Sequence, residues 1–220
     1  MIQLENITFG PFQENTFILT AENGECAIVD PGNSNSAENE HLKMLIDGQG
    51  LKPVLLLNTH CHIDHVMGND FVHRAWGLTP QAHPDEAPMF EMAERSAQMY
   101  GIPYTPGPEP EYTLHHGDHI TLGDHRFEIR LAPGHAPGHV VFIHHHQRFV
   151  VGGDVLFRQS VGRVDLPLGD GSILAHSIRE QLYTLPDDFL VHPGHGPSTT
   201  IGYEKENNPF VPAEGKGMLD

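Results

Sequence analysis

Thr59-His60-Cys61-His62-Ile63-Asp64-His65 sets four potential metal ligands within six positions, just beyond the apolar run Val54-Leu55-Leu56-Leu57. That run is short and apolar throughout, so it reads as a buried strand. Side chains on extended chain repeat every two residues, so His60 and His62 share a face. Asp64 and His65 leave that face and can reach a second point. One short loop can thereby serve two metal ions. Cys61 lies between two ligand candidates and should point away from them, as a packed thiol rather than a redox switch.

Three further clusters repeat the arrangement of a ligand-capable residue just after an apolar strand, in a Gly/Pro turn. They are Leu131-Ala132-Pro133-Gly134-His135-Ala136-Pro137-Gly138-His139, Val150-Val151-Gly152-Gly153-Asp154 and Leu190-Val191-His192-Pro193-Gly194-His195-Gly196. Strand ends at one edge of a layered fold converge on one rim.

The segments between these clusters alternate in character. Strands are predicted over 2–9, 16–20, 26–29, 54–57, 78–82, 120–122, 127–131, 140–144, 149–151 and 189–191. Helices are predicted over 37–46 with Ser36 as N-cap, 66–76, 83–101 and 173–185. Met89, Met92, Ala93 and Met99 form the packed stripe of the third. Pro106, Pro108 and Pro110 make 104–112 an irregular loop. Mixed strands flanked by helices twice over predict an α/β (α+β) fold in four layers, an αββα sandwich. Residues 1–211 are expected as a single domain and 212–220 as a loose tail.

Composition narrows the function. A chain of 220 residues is long enough to bury one sizeable core. Twenty-three glycines and 18 prolines indicate a loop-rich scaffold, which often carries chemistry on its connections. A formal charge of −17 argues against a nucleic-acid partner, which needs basic surface for phosphates. Two cysteines, Cys26 and Cys61, make no disulfide framework. No 18-residue apolar run predicts a membrane span, and Met1-Ile2-Gln3-Leu4-Glu5 lacks the pattern of a signal peptide. A cytoplasmic protein is the expectation, with the oligomeric state open.

In their order, HxHxDH, PGHxPGH, GGD and PGHG resemble the signature of the metallo-β-lactamase fold. The resemblance implies one metal held by His60, His62, His135 and Asp154, and another held by Asp64, His65, Asp154 and His195. Asp154 would bridge, and Asp64 and Asp154 are the carboxylates assigned to catalysis. Imidazoles and carboxylates without thiolate suit two Zn²⁺ ions, with Fe²⁺ or Mn²⁺ as alternatives. Such a pair lowers the pKa of water to about 7 and polarises a carbonyl, so no Ser/His/Asp triad is needed.

Gly153-Asp154-Val155-Leu156-Phe157, Val161-Gly162-Arg163-Val164-Asp165, Pro167-Leu168-Gly169-Asp170 and Asn208-Pro209-Phe210 are similar to the single-domain bacterial type of glyoxalase II. That type implies attack of a metal-bridging hydroxide on a hydroxyacyl thioester such as S-D-lactoylglutathione. The partner is then a small-molecule, glutathione-linked thioester. Its thiolate, with a pKa near about 8.5, leaves with little proton donation. Longer members contact glutathione through a C-terminal helical extension, for which a chain stopping near Asp220 is expected to leave no room. Arg163 is a candidate contact for a substrate carboxylate, or else a tie to Asp165 or Asp170. His139 and His192 are candidates to support ligands from behind.

A persulfide dioxygenase of the same fold, with one Fe²⁺ on His60, His135 and Asp154, is the main enzymatic alternative. A β-lactamase ranks lower for want of an export signal, and a ribonuclease for want of a basic RNA-gripping module. A non-enzymatic metal-binding module is the second alternative, disfavoured because every ligand position is filled.

Overall fold

The computed structural model describes residues 1–219; Asp220, the end of the expected tail, lies outside the described residues. Two compact units divide the chain: Met1–Leu114 with Thr121–Arg126, and His115–Ile120 with Phe127 onward. No helix among the described residues is long and apolar enough to cross a membrane.

The first unit runs β1 (Gln3–Phe9), β2 (Glu14–Thr20), β3 (Glu25–Val29), α1 (Ser36–Gly48), β4 (Lys52–Leu57), α2 (Ile63–Val66), α3 (Asn69–Trp76), β5 (Pro80–Gln81), a 3₁₀ turn (Pro84–Glu86) and α4 (Ala87–Tyr100). Its sheet has the order β1-β2-β3-β4-β5. The first three strands are antiparallel neighbours, whereas β3, β4 and β5 run parallel. Leu42 and Ile46, four apart on α1, bury one stripe against Ile18, Ile28, Leu56 and Val72. Parallel pairing sets Val29 opposite Leu57. Asp30 and the Asn58-Thr59-His60 run therefore leave the sheet side by side.

Local chemistry moved several expected boundaries. Asn35, not Ser36, caps α1: its side-chain oxygen accepts the N–H groups of Ala37 and Glu38, while Ser36 is already helical. The single helix expected over 66–76 is two, α2 and α3, parted at Met67-Gly68. There Gly68 donates to Pro31 O at 2.7 Å, and a Cβ on it would lie 2.0 Å from Asn33 Oδ1. Close approach to the Asp30-Pro31 turn thus interrupts the helix. On α4, Met89 and Ala93 are buried but Met99 is 75% exposed, because ten residues of helical rotation carry it off the stripe.

Sequence order in the second unit is β6 (His119–Leu122), β7 (His125–Leu131), β8 (Val140–His144), β9 (Phe149–Gly153), β10 (Leu156–Phe157), β11 (Ser160–Val161), α5 (Gly171–Ser177) continuing through a π-helical turn (Ile178–Leu182), β12 (Leu190–Pro193), β13 (Thr199–Thr200) and α6 (Ile201–Asn207). Residues 121–126, the tip joining β6 and β7, count with the first unit. The sheet order is β13-β12-β9-β8-β7-β6. Its core gathers Val141, Ile143, Val150, Val191, Leu174, Ile178 and Ile201. β8 is antiparallel to both β7 and β9, while β12 runs parallel to β9. The C-terminal ends of β7, β9 and β12 therefore share one edge, where the loops bearing His135, Asp154 and His195 begin. Past α6 the chain doubles back, Met218 donating to Pro209 O and Leu219 to Phe210 O.

Candidate metal centre

Unit one presents His60, His62, Asp64 and His65 from the turn after β4 and the first turn of α2. His60 and His65 are fully buried, their ring centroids 4.1 Å apart, and His62 stands edge-on to His60 at 4.8 Å. His65 Nε2 lies 3.8 Å from Asp64 Oδ2. Donor atoms of Asp30, His60 and His65 all fall within 4.8 Å of one another.

Asp30 orients this group rather than ligating with it, because both of its oxygens already accept protons. Oδ1 takes the Thr59 N–H at 2.7 Å. Oδ2 takes the Thr59 hydroxyl at 2.6 Å and His65 Nδ1–H at 3.0 Å. Having donated to Asp30, Thr59 Oγ1 accepts from His60 Nδ1 at 3.1 Å. Both imidazoles thus carry their proton on Nδ1 and their lone pair on Nε2, the state a metal requires. Asp30 holds φ at +49°, left-handed backbone that aspartate tolerates better than most residues. Asn58 Nδ2 secures the loop from below by donating to His65 O at 2.8 Å.

Beside them, Glu14 is 1% exposed, with Oε1 3.9 Å from His65 Nδ1. Burial pushes its carboxyl well above the usual carboxylate range, partly opposed by His65. Burial likewise pushes the Cys61 thiol up, with Glu86 and Asp30 adding to the effect. Cys61 is a sealed, protonated thiol and no ligand.

Unit two sets two assigned histidine ligands beside a third ligand, the Asp154 carboxylate. Asp154 Oδ2 lies 3.4 Å from His135 Nε2 and 3.5 Å from His195 Nε2. His135 Nδ1 donates to Arg163 O at 2.7 Å, which again leaves Nε2 as the lone-pair nitrogen. His139 accepts the Asp154 N–H on its Nε2 at 2.9 Å, and so fixes the backbone that carries the carboxylate. Gly162 closes over this pair: a Cβ there would sit 2.0 Å from Asp154 O and 3.0 Å from His135 Nδ1. Phe157 stands edge-on to His195 at 6.1 Å. His192 pairs with Ser198 Oγ through its Nδ1 at 2.9 Å.

The Arg163 guanidinium grips Asp165 with two bonds of 2.8 Å and holds that carboxyl down at about 2. Its main-chain carbonyl, rather than its charge, is what serves His135. His139→Ala is expected to lower the unfolding free energy of the metal-free protein by about 1–3 kcal/mol, because the buried Asp154 N–H loses the acceptor that the imidazole gives it. Urea denaturation measures this, and stability equal to the wild type would remove His139 from that role.

Nε2 lone pairs on oriented imidazoles, hard carboxylate oxygens and no thiolate form a donor set that fits a divalent transition metal. Fold and donor set together define a mixed α/β protein built to bind such metals. The model of the metallo-beta-lactamase superfamily matches residues 9–195, and the chain belongs to that family of metallo-hydrolases. Hydroxyacylglutathione hydrolase GloC of Haemophilus influenzae is 36% identical over 216 residues, covering 96% of this chain and 98% of that one. The crystal structure of TTHA1623 in a di-iron-bound form superposes with a TM-score of 0.85 at 38% identity, covering 94% of this chain and 100% of that one. The BLEG-1 B3 metallo-beta-lactamase superposes with a TM-score of 0.86 at 34% identity, covering 95% and 99%. The fold is that of the metallo-β-lactamases, as the ordered motifs led one to expect.

Proposed function

We propose that this protein hydrolyses a hydroxyacyl thioester, with S-D-lactoylglutathione as the representative substrate, at a centre of two divalent metal ions. His60, His62, His135 and Asp154 would hold one ion, and Asp64, His65, Asp154 and His195 the other. The observation that carries the reading is Asp154 Oδ2, flanked at 3.4 and 3.5 Å by the Nε2 atoms of His135 and His195. One carboxylate oxygen between two imidazole nitrogens is what a shared ligand requires. Support comes also from the family match, whose span of 9–195 takes in all seven positions, and from the name of the Haemophilus relative.

When bound, the two ions supply a nucleophile from water near neutral pH and Lewis acidity to the thioester carbonyl. The chain's own part is to keep the donors in the right state. Asp30 and Thr59 hold the protons of His60 and His65 on Nδ1, and the Arg163 carbonyl does the same for His135. His139 and Gly162 fix where Asp154 leaves the sheet. No acid of this chain is required at the leaving group, because a thiolate departs unassisted at neutral pH. Zn²⁺ is the metal proposed, and the di-iron neighbour makes Fe²⁺ the alternative to test.

Metal content and stoichiometry of protein purified without added metal, measured beside thioester, cephalosporin and persulfide assays, test the proposal. Two ions per chain with thiol release from S-D-lactoylglutathione is the expected result. One iron per chain with persulfide-dependent oxygen uptake would overturn it in favour of a dioxygenase. Cephalosporin cleavage without thioester cleavage would move it to the chemistry named for BLEG-1.

A further inference from the structure

Cys61 stands between His60 and His62 in a stretch that belongs to no helix or strand. Its N–H donates at 2.7 Å to Glu86 Oε2, a carboxylate 25 residues further along the chain. Cys61 and Glu86 are both 0% exposed. Burying a carboxylate costs several kcal/mol more than burying an apolar side chain of similar size, unless it is fully satisfied. A leucine or methionine at this position would fill the volume at less cost. What neither could do is accept a backbone proton.

The carboxylate is delivered by a stiff support. Pro84 opens the 3₁₀ turn with its φ fixed, His83 Nδ1 accepts the Asp85 N–H at 3.2 Å, and the Glu86 N–H returns to His83 O at 3.0 Å. α4 starts at the next residue, so Glu86 moves only as the head of a fourteen-residue helix does. On the loop side, Thr59 and Cys61 alternate with His60 and His62. The Thr59 N–H is held by Asp30 and the Cys61 N–H by Glu86. Two carboxylates from different elements thus fix the Asn58–Thr59 and His60–Cys61 peptide planes, one residue before His60 and directly after it. The His60–Cys61 plane bears directly on the Cα–Cβ direction of His60 and, through the single residue Cys61, on that of His62, which no side-chain bond on Cys61 could do.

We infer that Glu86 is a positioning residue of the metal centre, aiming His60 and His62 by gripping the Cys61 amide. The inference rests on the reading of those two histidines as ligands. Amide hydrogen exchange on the metal-free protein tests the grip without any metal. Cys61 N–H should exchange at least tenfold faster in Glu86→Ala than in the wild type, and within threefold of it in Glu86→Gln, whose amide oxygen still accepts. Chelator competition with Co²⁺ tests the aim. Affinity should fall by roughly 10–100-fold in Glu86→Ala, with a changed cobalt absorption spectrum, and recover in Glu86→Gln.

Should Glu86→Ala fail to fold, Glu86→Asp replaces it. That variant keeps the charge but is one methylene too short, and should bind Co²⁺ weakly while Glu86→Gln binds well. Unchanged exchange or unchanged affinity in the Ala or Asp variant overturns the inference. So does a Gln variant as weak as Ala, which would make the charge, not the acceptor, what matters. Wild-type protein that takes up no Co²⁺ would overturn the metal reading instead, and the exchange comparison would still decide the grip.

Discussion

Asp154→Ala is expected to lower thioester turnover by roughly 10³-fold or more, a loss at least as large as removal of a principal charge-stabilising group elsewhere. Strand β9 ends at Gly153 and sends the Asp154 side chain between His135 and His195. Alanine keeps the backbone contacts, since the N–H still reaches His139 and the carbonyl still lies against Gly162. Only the carboxylate goes. If it is shared, both ions lose a ligand and bound metal should fall well below two per chain.

A stability measurement separates this from misfolding. Asp154 is 7% exposed, and in metal-free protein it is a nearly buried carboxylate set against the imidazoles of His135 and His195. Its removal should leave the metal-free protein about as stable as before. Added Zn²⁺ should raise the melting temperature of the wild type by linkage, and that of Asp154→Ala by much less. Near-normal turnover in the variant would refute the shared-ligand role outright.

How much of this site could be read from the chain follows from the range of the forces involved. His135, Asp154 and His195 announce themselves because each follows an apolar strand in a Gly/Pro turn, a pattern fixed by local chemistry. The parallel register that brings two of those strand ends together is visible only in the fold. Asp30, followed by Pro31 and Gly32, is legible in the chain as the start of a turn and not as the anchor of two imidazoles. That role depends on Val29 pairing opposite Leu57, a contact between segments about 28 residues apart. Glu86 was hidden more deeply, inside a segment that reads simply as helix from His83 to Gly101.

Short elements escaped for a different reason. β10, β11 and β13 have two residues each, too few for a period to emerge, and α6 has seven, one of them Gly202. Its cap was the available signal: the Thr200 hydroxyl accepts the Tyr203 N–H at 3.2 Å. The break between α2 and α3 could not be read from Gly68 alone, since an isolated glycine is tolerated in helices. Only Asn33 and Pro31, packed against it, make the interruption necessary.

Asp30→Ala is expected to destabilise the metal-free protein by about 3–5 kcal/mol, the scale of breaking a buried charged network from one side. Three donors lose their acceptor at once: the Thr59 N–H, the Thr59 hydroxyl and His65 Nδ1–H. Alanine at φ +49° adds backbone strain of its own. Asp30→Asn separates packing from proton acceptance, because it keeps the volume but has one acceptor oxygen where Asp30 has two. It should cost about 1–3 kcal/mol. Whichever way its amide turns, an N–H₂ group then faces a donor, either the Thr59 N–H or the Thr59 hydroxyl and His65 pair. With the amide nitrogen at the Oδ2 position His65 can place its proton on Nε2, the nitrogen assigned to the metal, and with the amide oxygen there the imidazole N–H has only a neutral acceptor, weaker than a carboxylate. Affinity for Zn²⁺ should therefore drop by roughly 10–100-fold even in folded Asp30→Asn protein. Urea denaturation without metal and chelator competition with it read the two effects independently. Loss of stability with full retention of affinity would make Asp30 a structural anchor of the turn alone; retention of both would place the control of His60 and His65 elsewhere.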